Sequence, residues 1–299
     1  MYKRSMQEKF IVTIFLALPI LLLIMFVIYP GIKLFQMSFT DWNGTSSQMQ
    51  YIGLKNYYTI FFKSKDVWIT LKNNALYFFI HLATIPLSII TAVVLDSKIK
   101  LSSFFKLIVF LPYIINGVAV AYMFSYFYSP LGGAFNDILK QLGLGFLIQN
   151  WLSNKNVVNF TLVSVSLWRF CGFHTILFFA GLQSIPKEIM EASKVDGANN
   201  INTLWYIIIP SIKRVIQISL FLNVTGALQV FDIPFLMTGG GPAYASSTFT
   251  LYTLKTAFQF NNFGMASTMG VILFILIIII SWIQNKIVSS KEEKREKLI

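Results

Sequence analysis

IVTIFLALPILLLIMFVIY, residues Ile11 to Tyr29, contains no Asp, Glu, Lys, Arg or His. As a helix rising about 1.5 Å per residue it approaches the roughly 30 Å of bilayer hydrocarbon. A secretory leader also begins with bases, as Lys3, Arg4 and Lys9 do here. Its apolar core is shorter, however, and ends in a small-residue cleavage site. Neither condition holds, so a retained first transmembrane helix is expected.

Working outward, five more apolar segments follow: Trp68 to Leu95, Phe104 to Tyr128, Phe160 to Leu182, Leu204 to Leu236 and Met265 to Ile287, the first being Phe10 to Lys33. The expected fold is an all-α membrane protein with six spans. It divides into residues 1–67 (tail, first span and first external loop), a transmembrane core over 68–288, and a tail over 289–299. The composition agrees: 56% of the 299 residues are hydrophobic and 12% charged, against about a quarter charged in soluble domains, and mean hydropathy is +0.66.

A net charge of +12 suggests nucleic acid until the bases are placed. Most, including Lys3, Arg4, Lys9, Lys98, Lys100, Lys106, Lys187, Lys194, Lys213, Arg214, Lys286, Lys291, Lys294, Arg295 and Lys297, fall on segments that one orientation puts in the cytosol. That is the positive-inside bias with both termini inside, and no nucleic-acid partner is expected. Residues 38–66, 129–159 and 238–263 then face outward, while 96–103 and 183–203 face inward. Cys171 stands alone, which excludes an internal disulfide and a Cys-based zinc site. Pro19, Pro86, Pro112, Pro210 and Pro234 lie in or at the ends of spans, where neighbouring helices can satisfy the carbonyls they free, so kinked helices are expected.

The inner connection from Ser184 to Ala198 carries helix punctuation: Ser184 as a cap, Pro186 in the first turn, Glu188 at the positive end and Gly197 as a left-handed stop. Lys187 with Glu191, and Glu191 with Lys194, lie at helix-neighbour spacing. The product is a short amphipathic helix within 186–198 that offers Ile189, Met190 and Ala192 to something other than lipid.

Glu191-Ala192-Ser193, three residues, Gly197, nine residues, then Ile207-Ile208-Ile209-Pro210 resembles the EAA loop, EAA-x3-G-x9-I-x-LP, of binding-protein-dependent ABC importer permeases. Ser193 replaces the second Ala and Ile209 the Leu. The resemblance extends through Tyr29-Pro30, Ser38-Phe39-Thr40-Asp41-Trp42, Gly53-Leu54-Lys55-Asn56-Tyr57, Phe110-Leu111-Pro112, Trp168-Arg169, Gly172-Phe173, Ala180 to Pro186, Phe231-Asp232 and Thr238 to Pro242. These are similar to the carbohydrate-uptake branch, the group related to the larger maltose permease subunit without its extra N-terminal helices and external domain.

The resemblance implies a type I importer permease fold with a cytoplasmic coupling helix. Glu188, Met190, Glu191, Ala192, Ser193, Asp196, Gly197 and Pro210 would couple to an ATPase. It further implies a second related permease subunit, two ATPase subunits carrying ATP and Mg, and an extracellular binding protein that delivers a sugar, most simply an oligosaccharide. This chain itself has no Gly-x4-Gly-Lys-Ser/Thr phosphate loop, so it is expected to be a transport subunit without a cofactor or catalytic residue of its own.

Arg169 lies deep in the fourth span, where a charge costs about 2.5–3.5 kcal/mol on insertion scales and must face protein or water. It can contact solute or a gate, or anchor neighbouring helices. Counting at about 1.5 Å per residue puts Asp232 on the order of 10 Å further outward, so an ion pair is not assumed; Asn223 to Gln229 are the level neighbours. By helical spacing Ser219, Asn223, Gly226 and Val230 share one face of the fifth span, and Thr225, Gln229 and Asp232 the opposite one. The resemblance turns Asn223 and Ala227 toward the sugar, with Ser166 and Phe170 near Trp168; Arg169 and Gln229 complete the candidate path. Each also has a plain packing role open to it. His81 and His174 are expected to be hydrogen-bonded core residues.

Permeases for glycerol-phosphate or polyols share this pattern. An ion-coupled secondary transporter working alone is the rival of another class, but it would carry internal repeats and embedded acids, and the spans hold little carboxylate besides Asp232. A membrane enzyme would need a polar catalytic cluster, and none is visible.

Overall fold

A computed structural model of the chain describes residues 6–97 and 100–296. Lys3, Arg4, Lys98 and Lys297 lie outside them. Among the described residues every regular element is helical apart from one antiparallel bridge, Thr40 with Tyr51.

The chain forms two compact units. The first comprises residues 1–64 and 253–275. In it α1 (Met6–Leu23) passes through a π turn, Ile24–Ile28, into α2 (Tyr29–Met37), and α3 (Lys55–Phe62) follows. The stretch Ile11–Met37 buries none of its most apolar window, as a lipid-facing span should. Its loop is knitted by the sequence signatures quoted above. Ser38 is fully buried, its hydroxyl 2.8 Å from that of Tyr57, and its carbonyl accepts from Asn56 (3.2 Å) and Thr268 (2.8 Å). Gly264 donates to the Trp42 carbonyl at 2.9 Å, and a Cβ there would collide with Thr40.

The second unit comprises residues 65–252 and 276–299. It contains α4 (Lys65–Leu82), α5 (Thr84–Asp96), α6 (Ser102–Ile114), α7 (Gly117–Phe127), α8 (Ala134–Gln141), α9 (Val158–Leu182), α10 (Lys187–Val195), α11 (Asn200–Thr203), α12 (Ile209–Ser211), α13 (Lys213–Gln229) and α14 (Asp232–Thr238). The boundary between the units falls within α15 (Phe249–Phe258) and α16 (Phe263–Glu296). Among the described residues five helices or helix pairs are long and apolar enough to cross a membrane, and α6 with α7 makes a sixth candidate bent by 91°.

That bend corrects the expectation of one continuous third span over Phe104 to Tyr128. Ile115 and Asn116 are extended, and the Asn116 side chain accepts from the Val118 N–H at 2.8 Å, capping a new helix. The fifth span breaks twice. Ile212 leaves helical geometry after α12, and Val230 and Phe231 separate α13 from α14.

The prolines divide by position. Pro86 and Pro234 lie in the first turns of α5 and α14, where the missing N–H has no partner to lose. Pro30 and Pro210 each follow a widened π turn, in which Tyr29 and Ile209 donate back to Ile24 and Leu204. The widening relieves the clash between the proline ring and the preceding turn.

Two apolar clusters hold the second unit. Tyr77, Val120, Val158, Leu162, Val165, Ala227 and Ile233 form one; Ile85, Ile89, Ala92, Phe178, Leu182, Ile208 and Ile212 form the other. Between α6 and α9 the approach is so close that a Cβ at Gly172 would strike the Val109 carbonyl. Gly172→Ala is therefore expected to destabilise by about 1–3 kcal/mol through overpacking, whereas Gly145→Ala, with open space around it, should be neutral. Thermal unfolding of the two purified variants checks the contrast.

Candidate functional site

Four helices enclose a cavity of about 320 Å³, at the lower end of the roughly 300–1,000 Å³ usual for small-molecule sites. α4 supplies Tyr77 and His81, α6 Tyr113, and α9 Ser166, Phe170, Phe173 and His174. α13 supplies Leu222, Asn223, Gly226, Ala227 and Gln229, and Val230, Phe231 and Asp232 close one end. Five of the fifteen lining residues are Phe or Tyr: Tyr113 packs on Phe170 and Phe173, with ring centroids 5.9 and 4.8 Å apart.

Set into that wall are polar atoms with no protein partner. The Tyr77 hydroxyl, His81 Nε2 and both amide atoms of Asn223 are inaccessible to solvent and make no hydrogen bond among the described residues. Burying such a group unsatisfied costs on the order of 1–3 kcal/mol, and the three residues that carry these atoms all line the cavity. His174 behaves as expected of a core histidine, with Nδ1 2.9 Å from the Ser219 hydroxyl. His81 does not, because its Nε2 makes no hydrogen bond among the described residues.

Ser166, Phe170, Asn223, Ala227 and Gln229 line this cavity. Trp168 lies off it, 41% exposed, with its ring edge-on to Phe124 at 5.2 Å. The two faces assigned to the fifth span do not separate cleanly, since Asn223, Gly226, Gln229 and Asp232 all reach the cavity. Tyr77 and Tyr113 were not singled out from the sequence, and His81 was expected only as a hydrogen-bonded core residue; an apolar-flanked Tyr-x3-His on one helix face was the available signal.

Arg169 and Asp232 form an ion pair at 2.5 Å, which corrects the counting argument. That argument assumed an unbroken fifth span. The breaks at Ile212 and at Val230–Phe231 shorten the path and redirect the chain, so Asp232 begins a new helix beside α9. The guanidinium also lies 5.2 Å over the Phe170 ring. Gly117, first residue of α7, is pressed against the pair; a Cβ there would sit 2.8 Å from both Arg169 Nη1 and Asp232 Oδ2. One ion pair thus joins the broken third and fifth spans to the intact fourth.

The backbone opened at the second break is satisfied from the side. Asn74 donates to the Ala227 and Leu228 carbonyls at 2.6 and 3.1 Å, and Thr248 donates to Val230 at 2.7 Å. Asn74 also accepts from the Phe249 N–H at 2.7 Å.

At the far end of α9, α10 forms over Lys187–Val195. Its end is a Schellman motif: Gly197 has φ +76°, its N–H donates to Lys194, and the Ala198 N–H donates to Ser193. Ser184 does not cap it, because its hydroxyl turns back to the Gly181 carbonyl at 2.7 Å and Pro186 occupies the cap position. Met190 and the buried Ser193 anchor the helix to the bundle, so Met190 is not offered outward. Glu188, Glu191, Ala192, Asp196 and the apolar Ile189 (46%) and Val195 (87%) remain exposed. Pro210 is half-buried beyond the π turn. Gln183 donates to Asp96, tying the two neighbouring turns together. Among the described residues no three His, Cys, Asp or Glu side chains gather as a metal site.

Broken helices around a polar-lined cavity, with a short helix at the bundle's end, define a membrane transport component. Residues 84–292 match the model of the binding-protein-dependent transport system inner membrane component. The chain is 32% identical over 291 residues to the "Probable ABC transporter permease protein YurN" of Bacillus subtilis, covering 96% of this chain and 99% of that one. It is 31% identical over 288 residues to the multiple sugar-binding transport system permease protein MsmF of Streptococcus mutans, covering 95% and 97%. A crystal structure of a bacterial ABC transporter that imports the acidic polysaccharide alginate superposes with TM-score 0.83 at 23% identity, covering 95% of this chain and 96% of that one. The protein belongs to the family of binding-protein-dependent transport system inner membrane components. It is a multi-pass inner-membrane permease subunit of an ABC importer with the type I fold, a transport component and not an enzyme.

Removing either member of the ion pair should be unequal in effect. The Arg169 side chain is 15% exposed and that of Asp232 42%, so Asp232→Ala, which strands the more buried charge, is expected to cost about 2–4 kcal/mol and Arg169→Ala less. Thermal unfolding of the purified permease in detergent reads the difference.

Proposed function

We propose that this chain forms half of the translocation path of an ATP-driven importer for an uncharged oligosaccharide. The observation that carries this is the cavity itself: aromatic faces suited to the C–H surfaces of sugar rings, with the unpartnered Tyr77 hydroxyl, His81 Nε2 and Asn223 amide placed to meet hydroxyls. MsmF, by its name, belongs to a sugar system and supports the reading.

The charge balance of the wall favours a neutral sugar over glycerol-phosphate. The lining contains no cation, and the nearest guanidinium, that of Arg169, is engaged by Asp232. A polyol would satisfy the same chemistry, but the ring-sized aromatic wall favours pyranose. An ion-coupled transporter would need a free intramembrane carboxylate, and Asp232 is paired.

In this reading α10 is a cytoplasmic coupling helix, both termini are cytosolic, and Glu188, Glu191, Ala192, Ile189 and Val195 form the exposed face that enters a groove of an ATPase subunit. Met190 packs against the apolar cluster of Phe178, Leu182, Ile208 and Ile212, so movement of the groove is passed to the spans. ATP and Mg reside on two partner ATPase subunits. A second related permease completes the path, and an extracellular binding protein supplies the sugar.

Glu191→Arg is expected to abolish co-purification of the ATPase and sugar uptake in cells; retention of both would overturn the coupling role. Asn223→Leu should leave the complex assembled yet reduce uptake about tenfold, the worth of roughly one hydrogen bond. Normal uptake with an intact complex would remove the cavity from the path.

A further inference from the structure

A second cavity of about 430 Å³ lies between α13 and α16, lined by Gln217 and Phe221 on the first and Ser281, Trp282, Gln284 and Asn285 on the second. Its place along the helices is set by sequence. The apolar run of α16 ends at Ile280, and α13 begins only one turn before Gln217, at Lys213. The cavity therefore sits at the level where hydrocarbon gives way to headgroups. Trp282 (62% exposed) under the Lys286 ammonium, 5.2 Å from its ring, is the aromatic–basic pairing typical of that boundary.

The chemistry of the walls is divided along the membrane normal. Phe221 is apolar, exposed, and further into the membrane. Toward the surface stand three amide side chains and Ser281, and the Ser281 hydroxyl and Gln284 Oε1 are inaccessible to solvent without a hydrogen-bond partner among the described residues. The charge is of one sign: Lys213, Arg214 and Lys286 flank the cavity by a turn or less, while α13 and the described side chains of α16 include no acid. An apolar slot below, hydrogen-bonding groups above and a basic rim are the features that hold one anionic lipid between transmembrane helices.

We propose that this cavity is a binding site for a single anionic phospholipid, its phosphate near Lys286, its headgroup hydroxyls on Gln284 and Asn285, and an acyl chain against Phe221. The site is independent of the sugar cavity and of the reading given to it. Its role is to fill the seam between the span that carries Asn223 and the last span.

The permease, with the subunits that co-purify, is placed in nanodiscs of phosphatidylcholine with or without phosphatidylglycerol and released into native mass spectrometry. One phosphatidylglycerol should be retained in preference to phosphatidylcholine. Lys286→Ala should weaken that retention about fivefold and Gln284→Leu should weaken it further, while Lys55→Ala, on α3, leaves it unchanged. Equal retention of the two lipids, or retention indifferent to both Lys286→Ala and Gln284→Leu, overturns the proposal. A Ser281→Cys variant carrying a photoreactive label gives a second readout in native membranes. An adduct to lipid supports the site, and an adduct to another protein subunit shows that a protein covers it and overturns the proposal.

Discussion

Hydrocarbon offers no hydrogen bonds, so a transmembrane helix can break only where protein groups take up the backbone it opens. This constraint organises the second unit. The break after α13 is tolerated because Asn74, Thr248 and Thr250 take the Ala227, Leu228 and Val230 carbonyls. The break before α7 is tolerated because Asn116 caps the new helix. Both breaks converge on Arg169 and Asp232, whose pairing removes an exposed charge from the membrane interior and fixes α7 and α14 against α9.

The cavity is a consequence of those breaks. Straight helices at native packing density leave no void of 320 Å³ among large aromatic side chains. The chain turns at Val230 and Ile115, and Tyr77, His81 and Asn223 line the space between the helices. In the function proposed above, these same polar residues form the recognition surface of the path.

The segment that carries α10 follows a different logic, because it is polar. Met190 packs against the apolar cluster containing Phe178 and Ile212 and Ser193 is buried, while Glu188, Ile189 and Glu191 are left uncovered. A helix of nine residues is marginal in isolation. The Schellman stop at Gly197 closes its C-terminal end, and the Gln183–Asp96 link ties the turn before it to the end of α5.

Much of this was legible from residues alone. Hydropathy runs determine spans because the bilayer thickness is constant, and the Glu191 to Gly197 punctuation determines a short helix because caps and left-handed stops act locally. The ion pair of Arg169 with Asp232, the 91° bend at Asn116, the inward turn of Met190 and the outward turn of Trp168 were not legible. Each depends on where a second helix lies, and helical counting loses that once the backbone leaves its 1.5 Å rise. Sequence by itself determined the membrane setting, the helical class and the short helix now seen over Lys187–Val195, all consequences of local or one-dimensional physics. Only the tertiary structure decided which polar groups meet and which are left facing a cavity, because that depends on distances between elements far apart in the chain.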